Sequence, residues 1–398
     1  MPVLEGNVQI AGQYYPTSPP AVQAKTTNGG RTRFNPNIYA GGKVCLSILG
    51  TWRGEPGEEW SSAQGLESIL LSIQSLMSSN PYENEPGFET ANSSEDKKQQ
   101  AQYVAKIRHE TLRLSIIERM EGYLGIHEDG TIDDFPPLET EMRLRDEFDE
   151  EPDDSQSAFE PFQDLCKRRF LWYYDSYIQA ITQAEREVRE NQAFTKMPFE
   201  GHTNGMEGKF NYPELRKRMT IIMGALRRET SHWANEGMVQ VRKETSLAAY
   251  LERQVQHIAE QYKKNDSVTM DIDLEKQNPF VWVLTYFGRP MTQLDGGMFV
   301  IKLSISPRFP EEQPRVFFET RLFHHRISKD GMLCYFPRRP EDIKSHVQAI
   351  VEAIEDTDPP YDPRTLVHPE ASKLHWGTAE EKKQYNRLLR RAVQRSME

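Results

Sequence analysis

The sequence predicts an α+β chain built from two related domains in tandem. Two observations carry this expectation: a self-match around two of the three cysteines, and strand-type alternation bracketed by helix-spaced apolar runs. The self-match sets Phe34-Asn35-Pro36-Asn37-Ile38-Tyr39-Ala40-Gly41-Gly42-Lys43-Val44-Cys45 beside Phe323-His324-His325-Arg326-Ile327-Ser328-Lys329-Asp330-Gly331-Met332-Leu333-Cys334. In both, an aromatic residue opens the segment, a glycine stands three residues before the cysteine, and an aliphatic residue directly precedes the thiol. If the first copy is given a slightly longer loop, the match extends upstream. Tyr15-Pro16-Thr17-Ser18-Pro19-Pro20-Ala21-Val22 then lies beside Phe309-Pro310-Glu311-Glu312-Gln313-Pro314-Arg315-Val316.

The second copy shows its elements most clearly. Residues 246–264 place Leu251, Val255, Ile258 and Tyr262 at helical spacing, which predicts a helix ahead of a sheet. Residues 281–287, closed by Gly288-Arg289-Pro290, read as a strand. Residues 298–306 alternate, with Phe299, Ile301, Leu303 and Ile305 on one face, and residues 316–318 supply a third strand of an antiparallel meander. A helix over 343–354 follows the cysteine.

The first copy is shorter. Cys45 has only 44 residues before it, whereas Cys334 lies 88 residues after Ser246, so an opening helix and most of two strands have no counterpart. The expectation is marginal stability of that half-domain, explained either by completion from a partner or by an incomplete version of a longer protein. A helix over 66–76 follows Cys45. Between the copies, residues 128–160 concentrate acidic side chains around Pro136 and Pro137, the signature of a disordered connector. Residues 159–193 and 211–230 have helix-spaced apolar positions, and Cys166, close to Phe162, Leu165 and Phe170, is expected to be a buried core thiol. The resulting division is 1–125, 126–160, 161–230 and 231–398.

With 398 residues, the chain is long enough for two or three domains. Three cysteines form no disulfide framework, no apolar run approaches a membrane span, and the polar N-terminus has no signal-peptide core. Together these predict a reducing cytoplasmic or nuclear setting and no membrane partner. The net charge of −11 argues against general nucleic-acid binding. Arg387, Arg390, Arg391 and Arg395 are expected to form a solvated helix face.

Several motifs in one order resemble the ubiquitin-conjugating enzyme family: Tyr15-Pro16 to Pro19-Pro20, Asn35-Pro36-Asn37, Cys45-Leu46-Ser47-Ile48-Leu49, Trp60, and the helix from Leu66. Asn80-Pro81-Tyr82-Glu83-Asn84-Glu85-Pro86-Gly87-Phe88, Arg108-His109-Glu110-Thr111, Phe170-Leu171-Trp172-Tyr173-Tyr174-Asp175 and Gly208-Lys209-Phe210-Asn211-Tyr212 are similar to its large Z-type branch. The resemblance covers residues 15–226 and, more distantly, 248–393. It implies tandem ubiquitin-conjugating folds, the second complete but altered, with a helical extension between them.

The implied chemistry is acyl transfer through a thioester, which needs a cysteine that is exposed and able to ionise. Cys45 matches the family's acceptor position. Asn37, eight residues earlier, matches the side-chain amide that stabilises the tetrahedral oxyanion, and an asparagine there also suits a loop-bracing role. Asn35 replaces the family's usual histidine, whose role is mainly to brace the loop. Glu85, placed by Pro86, falls where the family often has an aspartate that orients the incoming lysine. In the second copy Cys334 matches the acceptor and Asp362 the gate carboxylate, but Arg326 stands in place of the amide and no tryptophan matches Trp60.

Three expectations stay open: a conjugating enzyme working through Cys45, one working through Cys334 with Arg326 as oxyanion donor, and a non-catalytic scaffold that binds ubiquitin or a ligase. The resemblance implies ubiquitin or a ubiquitin-like modifier, an activating enzyme, a ligase and protein substrates as partners, and no cofactor. His324, His325 and Cys334 lack a second ligand pair for zinc, and His109-Glu110-Thr111-Leu112-Arg113 lacks the second histidine of a zinc-protease helix. Gly296-Gly297 is followed by no Gly-Lys-Ser/Thr and reads as a turn.

Overall fold

The computed structural model describes residues 8–11, 14–54, 56–135, 162–201, 205–264 and 269–398. These form two compact units: an N-terminal one of Val3–Gly122 with Ala180–Thr220, and a C-terminal one of Tyr123–Gln179 with Ile221–Glu398.

The N-terminal unit begins with strand β1 (Val8–Ala11), which pairs antiparallel with β2 (Ala21–Ala24). Helix α1 (Leu66–Leu76) and α2 (Ser94–Glu110) follow. The latter is started by a reciprocal cap between Ser93 and Asp96 and runs on through a π-helical segment, Thr111–Glu118, into α3 (Arg119–Leu124). One apolar cluster joins Val44, Leu46, Ile48, Leu49 and Ile69. A second joins Phe34, Tyr82, Tyr103, Ile107, Leu114, Met197 and Met206.

Two long helices, α4 (Gln163–Glu187) and α5 (Tyr212–Arg242), lie where the sequence places helical segments. Helix α5 runs past the expected end at Thr230. The polar run Arg227-Arg228-Glu229 interrupts its apolar spacing, yet Trp233 beyond it is fully buried, with the Arg315 guanidinium 4.9 Å from its ring.

The C-terminal unit holds α6 (Ser246–Lys263), β3 (Thr269–Leu274), β4 (Val281–Phe287), β5 (Met298–Ser304), β6 (Arg315–Phe318), α7 (Ile343–Glu355), α8 (Pro369–His375) and α9 (Ala379–Arg395). The sheet is antiparallel in the order β3-β4-β5-β6. Three of its strands are those the sequence predicts. The fourth, β3, pairs from Thr269 with Phe287 to Leu274 with Trp282; its alternating aspartates left only Met270 and Ile272 as buried signals. Alternation puts Trp282, Leu284 and Tyr286 with Phe299, Ile301 and Leu303 in one core, covered by Leu251, Val255 and Ile258 of α6 and Val347 and Ile350 of α7. Each such side chain stabilises by roughly 1.5–3 kcal/mol when fully buried. Thr245 and Asp342 cap the two helices by accepting hydrogen bonds from the amides of Ala248 and Lys344.

The two copies differ in cover. Helix α7 buries Ile343, Val347, Ile350 and Ile354, whereas α1 buries only Ile69 and leaves Leu66, Leu70 and Leu71 about half exposed. Among the described residues the N-terminal unit has two strands where the C-terminal unit has four. The connector expected over 126–160 opens on an ordered turn, with Ile126 bridging Ile132 and Phe135 stacked on His232 at 4.3 Å. Local pairing outweighs the acidic composition there; residues 136–160 lie outside the described residues.

Candidate active site

Each copy bends its backbone the same way before its cysteine. In the first, the Tyr39 amide donates to Lys43 O, Gly42 N to Tyr39 O and Cys45 N to Asn37 O, all at 2.8 Å. In the second, Ser328 N donates to Met332 O, Gly331 N to Ser328 O and Cys334 N to Arg326 O at 2.8–2.9 Å. The turns need glycine. Gly42 and Gly331 have φ of 89° and 95°, and a Cβ on them would sit 2.5 Å from Ala24 O and 2.6 Å from Phe318 O.

Around Cys45 the loop is braced by Asn35, as its position in the motif implied. Its fully buried carboxamide donates to Leu76 O at 2.9 Å and accepts from Asn37 N at 2.9 Å. The Asn37 Nδ2 points at Cys45 O, at 3.5 Å, while its Oδ1 is buried with no hydrogen-bond partner among the described residues. Thr51 fixes the far side, donating to Val44 O at 2.7 Å and accepting from Leu46 N at 3.0 Å. Trp60 donates to Pro16 O at 2.9 Å. The acceptor chemistry asks for an exposed thiol, but Cys45 is only 3% exposed. Tyr39 stands beside it: burial pushes the phenol above its ordinary range, and the charge of Cys45 and a side-chain hydrogen bond with it push the same way.

Glu85 reaches the loop through Arg33. Their ion pair is 3.1 Å long, and the Arg33 guanidinium also donates to Pro36 O and lies 4.8 Å from the Tyr39 ring. Burial raises the Glu85 carboxyl above the usual range, and Arg33 pulls it back down.

The Cys334 site is closed. The residue has no exposed surface, and burial pushes its thiol up to about 12, against the pull of Arg326. Its Sγ lies 3.6 Å from Arg364 O, which also accepts a 2.7 Å hydrogen bond from the Tyr173 hydroxyl. Trp172 sets its ring edge on Phe336 at 5.7 Å, and Asp175 accepts from Lys329 N at 2.7 Å. Asp164 pairs with Arg315 at 2.7 Å and accepts from Gln313 N at 3.2 Å. Asp362 caps its own short helix and pairs with Arg364 at 2.8 Å; those hydrogen bonds hold its carboxyl below the usual range. Arg326, in the amide's place, has a buried Nε with no partner among the described residues.

Of the sequence-derived residues, the structure brings Asn37 to Cys45, links Glu85 to their loop through Arg33, and encloses Cys334 beneath Arg364. Sequence reasoning missed Arg33, Tyr39, Thr51, Tyr173 and Arg364. Two of them differ between the copies in sequence: Arg33, directly before the self-match, stands opposite Leu322, and Tyr39, inside it, opposite Ser328; Tyr173 lies in a family-like motif. His109 is a packing residue whose Nδ1–H faces Glu110 at 3.0 Å while Nε2 accepts from Asn211 N at 3.1 Å. Cys166 is buried on α4. Gly296-Gly297 closes the β4–β5 turn, where Gly288 N donates to Gly297 O at 2.8 Å.

A glycine-turned loop before a cysteine, present twice and each time followed by a helix, with a neighbouring carboxamide in the first copy and an arginine in its place in the second, defines a tandem ubiquitin-conjugating-type protein. The family model described as ubiquitin-conjugating enzyme matches residues 7–111 and 250–339, and those two regions belong to that family. The chain is similar to ubiquitin-conjugating enzyme E2 Z of Xenopus tropicalis, at 56% identity over 108 residues, covering 27% of this chain and 33% of that protein. It is similar to the Homo sapiens protein of the same name at 54% over 108 residues, 27% and 29% of the two chains. A longer match, 35% identity over 213 residues, covers 54% of this chain and 51% of the Danio rerio E2 Z. The chain thus spans about a third to a half of the length of these curated relatives.

Proposed function

We propose that Cys45 accepts ubiquitin or a ubiquitin-like modifier as a thioester and passes it to a lysine or to a ligase. The observation that carries this reading is the Asn37 carboxamide, held beside Cys45 by the Cys45 N to Asn37 O bond, with its Nδ2 donor 3.5 Å from Cys45 O. In loading, the Cys45 thiolate attacks the modifier's thioester carbonyl on the activating enzyme and expels that enzyme's thiolate. In discharge, a lysine amine attacks the new thioester, the C–S bond breaks, and the amine's proton leaves to solvent or base. Asn37 donates to the oxyanion between these bonds, and Glu85 orients the amine. An activating enzyme, a ligase, protein substrates and a reducing cytoplasmic or nuclear setting belong to this reading.

A second reading applies to the C-terminal unit. The closed thiol and the arginine in the amide's place favour a non-catalytic scaffold that binds the modifier or a ligase. The test of both is a non-reducing gel with activating enzyme, ATP and ubiquitin on the wild type, Cys45→Ala and Cys334→Ala. A thiol-reducible adduct lost only in Cys45→Ala supports the proposal. Loss only in Cys334→Ala moves the chemistry to the second copy, and no adduct on any variant leaves the scaffold reading alone.

A further inference from the structure

Arg33 is 6% exposed in its side chain, yet it holds partners from two separate parts of the site. Its guanidinium donates to Pro36 O, inside the Asn35-Pro36-Asn37 turn, and to Glu85, which follows the short helix Pro81–Asn84. The same group lies over the Tyr39 ring, which neighbours Cys45. Leu76 O already accepts from both Asn35 and Asn84, at 2.9 Å each, so the base of the Glu85 loop is anchored independently. What Arg33 adds is the placement of the carboxylate itself.

The second copy lacks this connection. Leu322, a buried core residue, occupies the position of Arg33, and the carboxylate of Asp362 turns back on Arg364 of its own loop. The clamp therefore occurs in the copy that carries the amide, and is missing from the copy with Arg326 in the amide's place.

We propose that Arg33 is a positioning residue that joins the Glu85 carboxylate to the Asn37–Cys45 loop, so that the lysine-orienting group and the oxyanion donor keep one fixed spacing during discharge. This rests on the reading that Cys45 carries the thioester. Its role in this proposal is exerted through Glu85, its side-chain ion-pair partner. A guanidinium suits the task because its planar fork donates to a carbonyl and a carboxylate at once, which an ammonium on a flexible stem does less well. The charged and titratable groups that face Glu85 are Arg33, Tyr39 and Tyr103. Arg33 is the cation among them, and it favours the ionised carboxylate against burial.

The test uses the full chain and two readouts. Hydrogen exchange across residues 80–89 is compared between the wild type and Arg33→Leu, and faster exchange in the variant is expected. Discharge is then followed on the ubiquitin-loaded fraction by quenching ATP and adding free lysine across pH 6–9. Arg33→Leu should slow discharge by about tenfold or more and move the low-pH limb of the profile upward, because Glu85 loses the charge that keeps it ionised. Arg33→Lys should recover part of the rate. Adding Arg33→Leu to Glu85→Gln should cost little beyond Glu85→Gln alone, since both act through one group. Unchanged discharge and pH profile in Arg33→Leu would overturn the proposal, as would losses that multiply in the double variant. A wild type that never loads on Cys45 removes the thioester reading instead. In that case hydrogen exchange alone decides the clamp, and unchanged exchange rejects it.

Discussion

The Tyr173 hydroxyl donates to Arg364 O at 2.7 Å across 191 residues of sequence, and that same oxygen lies 3.6 Å from the Cys334 Sγ. A residue from helix α4 therefore fixes the carbonyl that covers the second copy's thiol. Because burial pushes that thiol up to about 12, its thiolate fraction near neutral pH is on the order of a thousandfold below that of an ordinary cysteine. Mass-mapped alkylation with iodoacetamide at pH 8 should leave Cys334 almost unlabelled in the native protein. Trp172→Ala combined with Tyr173→Ala removes the ring over Phe336 and the bond to Arg364, and should speed labelling at least about tenfold. Native Cys334 labelling as fast as a small-molecule thiol would show that the cover is not there.

In the first copy one side-chain amide faces the Cys45 carbonyl. Asn37→Ala deletes the Nδ2 donor beside Cys45 while Asn35 still braces the loop through Leu76 O. Discharge of ubiquitin from Cys45 to free lysine should fall by roughly 10²- to 10³-fold, the usual loss for one oxyanion donor. Thioester formation should persist. If discharge in Asn37→Ala equals that of the wild type, the amide serves only to support the loop.

What could be read from sequence was local. Gly42 and Gly331, the cysteines three residues on, and the amide eight residues before Cys45 are fixed by short-range turn geometry, so a pattern of residue types reveals them. Strand β3 was missed because its buried face offers only Met270 and Ile272 between exposed residues. The Arg33–Glu85 pair spans 52 residues and the Tyr173–Arg364 bond far more, so both depend on packing that no local spacing encodes. The closure of Cys334 follows from such long-range contacts, which is why motif matching left its chemistry open.

The duplicated turn gives a paired stability test. Gly42→Ala and Gly331→Ala each force a side chain into left-handed backbone and against a carbonyl oxygen within 2.6 Å. Each should lower stability in urea unfolding by about 1–3 kcal/mol. Gly41→Ala is the control, since a Cβ there meets nothing within 4 Å, and it should change stability by less than about 0.5 kcal/mol. Equal midpoints for Gly41→Ala and Gly42→Ala would mean that the turn tolerates a side chain after all.

Lys106 of α2 is fully buried against Glu200, and also donates to Thr195 O at 3.1 Å; Glu200 accepts in turn from Met197 N at 2.9 Å. Removing one partner strands a charge, so Lys106→Met should destabilise by roughly 3–5 kcal/mol. Lys106→Met with Glu200→Gln leaves no unpaired charge and should regain part of that loss. A double variant no more stable than Lys106→Met alone, measured by urea unfolding, would show that the lysine's other contacts dominate.

Acid should act on the stacked imidazoles beside the second copy's loop. His325 stacks between His324 at 4.3 Å and His375 at 4.2 Å, with Trp376 and Tyr385 around it, and its Nε2 is buried with no partner among the described residues. Burial pushes His324 down to about 3 and His368 to about 4, and lowers His325 and His375 as well. Arg326, Lys329 and Lys382 push in the same direction, while Glu370, Asp356 and Asp358 oppose them. Their folded values lie below the unfolded value near 6.5, so the unfolded chain takes up protons first as pH falls. Stability is therefore full above about pH 6.5 and drains below it, by up to about 1.4 kcal/mol per pH unit for each histidine kept neutral. Carboxylates add to the slope at lower pH, so the decisive comparison is His325→Phe, which keeps an aromatic ring in the stack and removes one site of protonation. Urea midpoints taken from pH 7.5 to 5 should fall less steeply in His325→Phe than in the wild type; parallel slopes would mean that the stacked imidazoles are not what acid attacks.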